Sequence, residues 1–125
     1  MDNNNIKQKS KKLIHSFKYA FEGIKTVLKK EQNMKIHFII MILVILAGSI
    51  LKLTKLEWII CIILFGVVLT AELFNTAIEI VVDMIMPNKD ERAKNAKDIS
   101  AGAVLVIAIS SAIVGVIIFL PKILI

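Results

Sequence analysis

The sequence predicts an all-α integral membrane protein, with three transmembrane helices preceded by an amphipathic interfacial helix. Three observations carry that prediction. Hydrophobic residues make up 57% of 125 residues and the mean hydropathy is +0.76, more apolar surface than a soluble domain of this length can bury. The apolar residues gather into three runs, 36–51, 56–86 and 99–120, each close to or above the ~20 residues that cross a ~30 Å hydrocarbon layer. Apart from Glu57 at the start of the second run and one acidic stripe further along it, the charges lie outside these runs.

Residues 1–10 are polar and read as a flexible tail. Over 11–30, Leu13, Phe17, Ala20, Phe21, Ile24, Val27 and Leu28 recur at helical spacing, and Lys11, Lys12, Lys18, Lys25 and Lys29 occupy much of the remainder. Such a helix suits the headgroup layer. A basic arm for nucleic acid has no need of that apolar side, so no nucleic-acid partner is expected. The first span, 34–52, is the shortest and relies on flanking lysines that snorkel. The second, 56–86, is roughly 46 Å long at 1.5 Å per residue, about 16 Å more than the hydrocarbon needs. It therefore emerges near Asn75 or Thr76, with Glu72 just inside the apolar layer and Glu79 and Asp83 at the wet edge. Pro87 ends it. A polar loop over 88–95 follows, and the third helix opens with Asp98 or Ser100 as N-cap and spans 99–120. The whole of 1–125 reads as one domain.

Nine lysines precede Ile36 and four basic residues lie between Lys89 and Lys97, whereas the hairpin around Lys52 and Lys55 has two. This bias predicts a cell-membrane protein whose amino terminus and 87–98 loop face the cytoplasm, with the carboxyl terminus outside. The first apolar run follows a long charged segment, unlike a cleavable signal peptide. Cys61 reads as a packing residue, Trp58 as an outer-interface anchor, and His15 and His37 as interfacial residues rather than ligands.

The acidic stripe carries the function. Residues 72–83 read ELFNTAIEIVVD; on a helix, Glu72, Glu79 and Asp83 fall within roughly 20° of one line and Asn75 about 60° aside. Ionisable groups in a membrane segment mark sites, and 56–86 holds no basic residue to neutralise these as ion pairs. Asp83 could instead be an interfacial charge contacting the 87–98 loop, and Asn75 an interhelical hydrogen-bonding residue. A carboxylate at the lipid boundary can act as a base, and carboxylates at the wet edge suit Mg²⁺, which takes one or two of them and completes its shell with nucleotide phosphates. Lys97 could neutralise phosphate charge. These are the parts of phosphoryl transfer. No glycine-rich phosphate loop is present, which excludes a soluble-type nucleotide fold.

The stripe, followed by Ala96, Lys97, Asp98 and a small-residue start to the third helix, resembles the signature of the prokaryotic diacylglycerol kinase family, small membrane lipid kinases whose Gram-positive branch includes undecaprenol kinases. The resemblance extends over nearly the whole chain and implies the following roles. Glu72 is the general base toward the lipid hydroxyl, and Asn75 supports the reacting phosphoryl group. Glu31 and Glu79 hold the Mg²⁺ that bridges the ATP phosphates. Lys97 and Asp98 contact the nucleotide, together with Tyr19, Asn88, Lys89 and Asp90. Lys12 lies near phosphates and lipid, and Ala101 near the lipid. The family forms homotrimers with shared active sites, which fits a stripe that three thin helices cannot bury alone. Two departures, His37 in place of a second acid and a Lys-, Ile- and Asn-rich composition, point to undecaprenol as acceptor, with diacylglycerol as the alternative. A small proton-coupled transporter is the alternative of another class, but clustered acids favour metal and phosphate chemistry over a lone proton site.

Overall fold

The computed structural model describes residues 2–125, and the described residues are almost entirely helical, with no strand among them. Four helices follow in order: α1 Asn3–Lys30, α2 Gln32–Leu51, α3 Lys55–Ile85 and α4 Glu91–Leu124. The last three are long and apolar enough to cross a membrane. The chain forms two compact units, Met1–Gln32 and Asn33–Ile125.

The first unit is α1. Residues 3–10, expected as a flexible tail, are its opening turns. The segment contains no glycine or proline and has lysine and glutamine, which favour helix, so polarity alone does not interrupt the ladder. Lys29 and Lys30 occupy the last turn, where their charge complements the helix dipole. The chain then turns extended at Glu31, whose N–H still reaches the Val27 carbonyl at 2.8 Å.

In the second unit, α2 ends in a left-handed cap. Lys52 has φ 57°, and the Leu53 N–H reaches back to the Gly48 carbonyl at 3.0 Å. This is the six-to-one bond of a Schellman ending, with Leu53 folded against the last turn. Gly48 makes room there: a Cβ would lie 2.7 Å from Leu53 Cδ1 and 2.9 Å from Trp58 Cη2, so those side chains would have to shift. A capping box starts α3: Thr54 accepts from the Glu57 N–H, and the Glu57 carboxylate accepts from the Thr54 N–H. At this end Leu53, Cys61 and Ile118 form a small core, beside which Lys122 pairs with Glu57 at 3.1 Å.

α3 and α4 pack closely, and three polar pairs fix their antiparallel register: Glu57 with Lys122 at one end, Asn75 with Ser100 further on, and Asp83 with Lys97 near the other end. The start of α4 differs from the sequence expectation. The N-cap is Asp90, whose carboxylate accepts from the N–H groups of Arg92 and Ala93, so Asp98 and Ser100 lie inside the helix and the expected 88–95 loop is mostly helical. Residues 91–97 are polar but rich in strong helix formers, and a reading by apolar runs passes over them. Most apolar side chains on the flanks, such as Ile39, Leu43, Ile62, Phe74 and Ile113, are exposed, as lipid-facing surfaces are.

Candidate active site

The buried residues of α3, Cys61, Val68, Glu72, Asn75 and Thr76, share one face of the helix. Polar residues thus enter the bundle by continuing an apolar stripe. Glu72 is 2% exposed, among the most buried side chains of the chain. The carboxylate that finds no partner on its own helix finds one on α2: His37 Nε2 lies 3.0 Å from Glu72 Oε1. His37, expected as merely interfacial, is therefore a hydrogen-bonding partner of the stripe. Its signals in the sequence were a lone imidazole early in an apolar helix and its standing where the resemblance has a second acid; its partner became visible only once α2 and α3 were paired. Thr76 donates its hydroxyl to the Glu72 carbonyl at 3.0 Å and stays within its own helix.

A second chain of bonds runs from α4 to α3. The Ser100 hydroxyl lies 2.7 Å from Asn75 Oδ1, and Asn75 Nδ2 donates to Glu79 Oε1 at 3.4 Å. Because Oδ1 accepts from serine, the amide nitrogen faces Glu79 and the side chain's orientation is fixed. Ser100, expected only as a possible cap, is thus the residue that holds Asn75. One turn earlier on α4, Lys97 pairs with Asp83 across the helix boundary. Asp83 therefore contacts the 87–98 segment, the alternative open for it from the sequence.

Two pockets flank this network. One, of about 270 Å³, is lined by Glu72, Asn75, His37 and Asn33 with Ala101 and other small and aliphatic residues of α4. Glu72, Asn75 and Ala101 are thereby brought to one place. From His37 and Ala108, which line both, an apolar cleft of about 260 Å³ continues between α2, α3 and α4 past Met41, Val68, Gly115 and Phe119. The other pocket, about 680 Å³, gathers Asn88, Lys89, Asp90, Lys97 and Asp98 with Asp83 and Lys94. All five expected nucleotide contacts of the second unit meet there. Lys94 bonds Asp98 at 2.6 Å, so one carboxylate is already engaged. The Arg92 side chain, with the backbone N–H groups of Ala93 and Arg92, holds the Asp90 carboxyl below the usual carboxylate range. The remaining expected residues, Lys12, Tyr19 and Glu31, belong to the first unit: Lys12 and Tyr19 are exposed along α1, where Tyr19 stacks on His15, and Glu31 caps it.

Among the described residues no three or more His, Cys, Asp or Glu side chains gather as a self-sufficient metal cage. A half-buried carboxylate, Glu79, beside an amide is instead the hard-oxygen, low-count donor set that Mg²⁺ accepts when phosphates supply further ligands.

An acid buried in an apolar helix, an apolar cleft and a polar pocket at the helix ends suit a membrane enzyme that works on a lipid. The family model for prokaryotic diacylglycerol kinase matches residues 18–119, and the chain belongs to that family. It is 38% identical over 122 residues to "Undecaprenol kinase" of Bacillus subtilis (strain 168), covering 98% of this chain and 99% of that one. A "Diacylglycerol kinase" of Synechocystis is 38% identical over 121 residues, 96% of this chain and 69% of the relative. The "Diacylglycerol kinase" of Haemophilus influenzae is 33% identical over 94 residues, 75% of this chain and 80% of the relative. The protein is a membrane lipid kinase, and the transporter alternative has no support.

Proposed function

We propose that this kinase transfers the γ-phosphoryl group of ATP to the hydroxyl of undecaprenol, giving undecaprenyl phosphate. The observation that carries the proposal is the pocket in which Glu72 and Asn75 stand at the head of an apolar cleft. A hydroxyl entering at Ala101 meets a carboxylate, and the hydrocarbon behind it meets aliphatic walls. One cleft suits the single chain of a polyprenol better than the two chains of diacylglycerol. The near full-length similarity to an undecaprenol kinase supports the same acceptor.

In this reading Glu72 takes the hydroxyl proton as the oxygen attacks phosphorus, and Asn75, oriented by Ser100, supports the transferring group. Glu79, with Glu31 of the first unit, would hold Mg²⁺. That ion neutralises phosphate charge when bound with ATP. Lys97 and Asp98, with Asn88, Lys89 and Asp90, receive the nucleotide in the pocket at the start of α4. Lys12 and Tyr19 contribute from the surface helix. We further assign a homotrimer with shared sites, supported by Glu79 and Asp83, polar residues of the stripe that their own chain does not bury. The amino terminus and the 87–98 segment face the cytoplasm, in keeping with their lysines.

The test is radiolabelled ATP with purified protein in detergent micelles, undecaprenol and diacylglycerol in parallel, and Glu72→Gln beside the wild type. Label should enter undecaprenol faster, and Glu72→Gln should abolish turnover with little change in ATP binding. Faster labelling of diacylglycerol would overturn the acceptor. Near-normal turnover by Glu72→Gln would overturn the base.

A further inference from the structure

We infer that His37 is the positioning residue of the general base: its ring sets the orientation of the Glu72 carboxylate for the acceptor hydroxyl. The inference rests on the proposed role of Glu72. A carboxylate that is 2% exposed in a membrane helix must be hydrogen-bonded or paired, since an unpartnered buried charge is strongly unfavourable. The candidates are few. Apart from Lys55 in its first turn, far along the helix from Glu72, α3 has no basic residue, and the α4 residues lining the pocket, Ala101, Val104, Leu105 and Ala108, carry no polar side-chain group. Asn75 is occupied by Ser100 on one side and Glu79 on the other. Asn33 lines the pocket without a hydrogen bond to Glu72. That leaves His37, at 3.0 Å from Oε1.

The proposed base role sets the direction of the contact. A general base must be ionised and an ionised carboxylate can only accept, so in that role the hydrogen lies on His37 Nε2 and points at Oε1. The bond holds the carboxylate by one oxygen and leaves Oε2 for the acceptor hydroxyl. A glutamate side chain has three rotatable bonds, and a base that samples all its rotamers is rarely within reach of the proton it must remove. The His37 ring is itself largely buried, 18% exposed, in the wall of the pocket and of the apolar cleft. It also stands where the hydroxyl of a lipid lying in the cleft would pass.

Two measurements test this, the first independent of turnover. The chain has two histidines, His15 and His37, so a protein labelled with ¹⁵N at histidine gives two sets of ring signals, assigned with His37→Gln. Wild type should show a protonated, hydrogen-bonded Nε2 at His37, and Glu72→Ala should shift that signal while leaving His15 unmoved. An Nε2 signal identical in the two proteins would overturn the contact. The second measurement is steady-state kinetics. His37→Ala should lower kcat on the order of tenfold to a hundredfold with the KM for ATP unchanged. His37→Gln, whose side-chain N–H can reach the same position, should restore most of the loss. Wild-type kcat in His37→Ala, with Glu72→Gln inactive, would overturn the positioning role and leave the kinase reading standing. If Glu72→Gln is active, the base assignment falls first and this inference with it. If His37→Gln is as slow as His37→Ala, hydrogen-bond donation is not what histidine contributes and the positioning role is overturned.

Discussion

Replacing Ser100 with alanine removes one oxygen and tests whether Asn75 works only when held. The Ser100 hydroxyl has a single proton and two acceptors in reach, Asn75 Oδ1 at 2.7 Å and the Lys97 carbonyl at 2.9 Å. Both side chains are buried, Asn75 at 9% and Ser100 at 7% exposure, so water does not readily take the place of the hydroxyl. A buried acceptor left without a donor costs about 1–3 kcal/mol. If that cost falls on the transition state, at ~1.4 kcal/mol per factor of ten it slows turnover roughly 5- to 150-fold. The assay is initial rate at saturating ATP and lipid alcohol for Ser100→Ala, Ser100→Thr, Asn75→Ala and the double variant Ser100→Ala/Asn75→Ala. Threonine keeps the hydroxyl and should stay near wild type. The double variant should be no slower than Asn75→Ala, because the serine acts through the amide. Wild-type kcat in Ser100→Ala, or losses that simply multiply in the double variant, would refute the reasoning.

Three further outcomes follow from particular contacts. Gly48→Ala forces a Cβ against Leu53 and Trp58, so thermal unfolding in micelles should show a loss of about 1–3 kcal/mol; an unchanged Tm would mean that Leu53 swings aside freely. A Cβ at Gly115 meets nothing within 4 Å, so Gly115→Leu should fold and project into the apolar cleft, raising the KM for the lipid while sparing that for ATP. An unaltered lipid KM removes the cleft from the acceptor's path. Asp90 has its carboxyl held low in the folded chain, so its cap is fully present above the ordinary carboxylate range near pH ~4 and is lost only as pH falls through the lower folded value. Amide exchange at Arg92 and Ala93 should therefore stay protected from neutral pH down to about 4 and rise below it; deprotection by pH ~5 contradicts that sign.

The all-α architecture was legible in the chain because it follows from one-dimensional properties. Three apolar runs of bilayer length leave a backbone in lipid no choice but helix, and the basic amphipathic pattern of 11–30 has a helical period. Helix ends were less legible where polarity and propensity disagree. Residues 3–10 and 91–97 look like loops by hydropathy and are helical, and Asp90 rather than Asp98 is the cap. The stripe of Glu72, Asn75, Glu79 and Asp83 was likewise legible, because its residues share one helix and a fixed 100° step relates them.

What joins that stripe to the rest of the chain needed tertiary structure. His37 lies 35 residues from Glu72, and Ser100 lies 25 from Asn75. Nothing local distinguishes either from an ordinary histidine or serine in an apolar helix, because their meaning depends on interhelical register, which sums many weak side-chain contacts. The sequence by itself determined the helices and the acids they carry. Only the packing of α2, α3 and α4 decided that those acids have partners, because a hydrogen bond between helices is a property of distance in space and not of spacing along a chain.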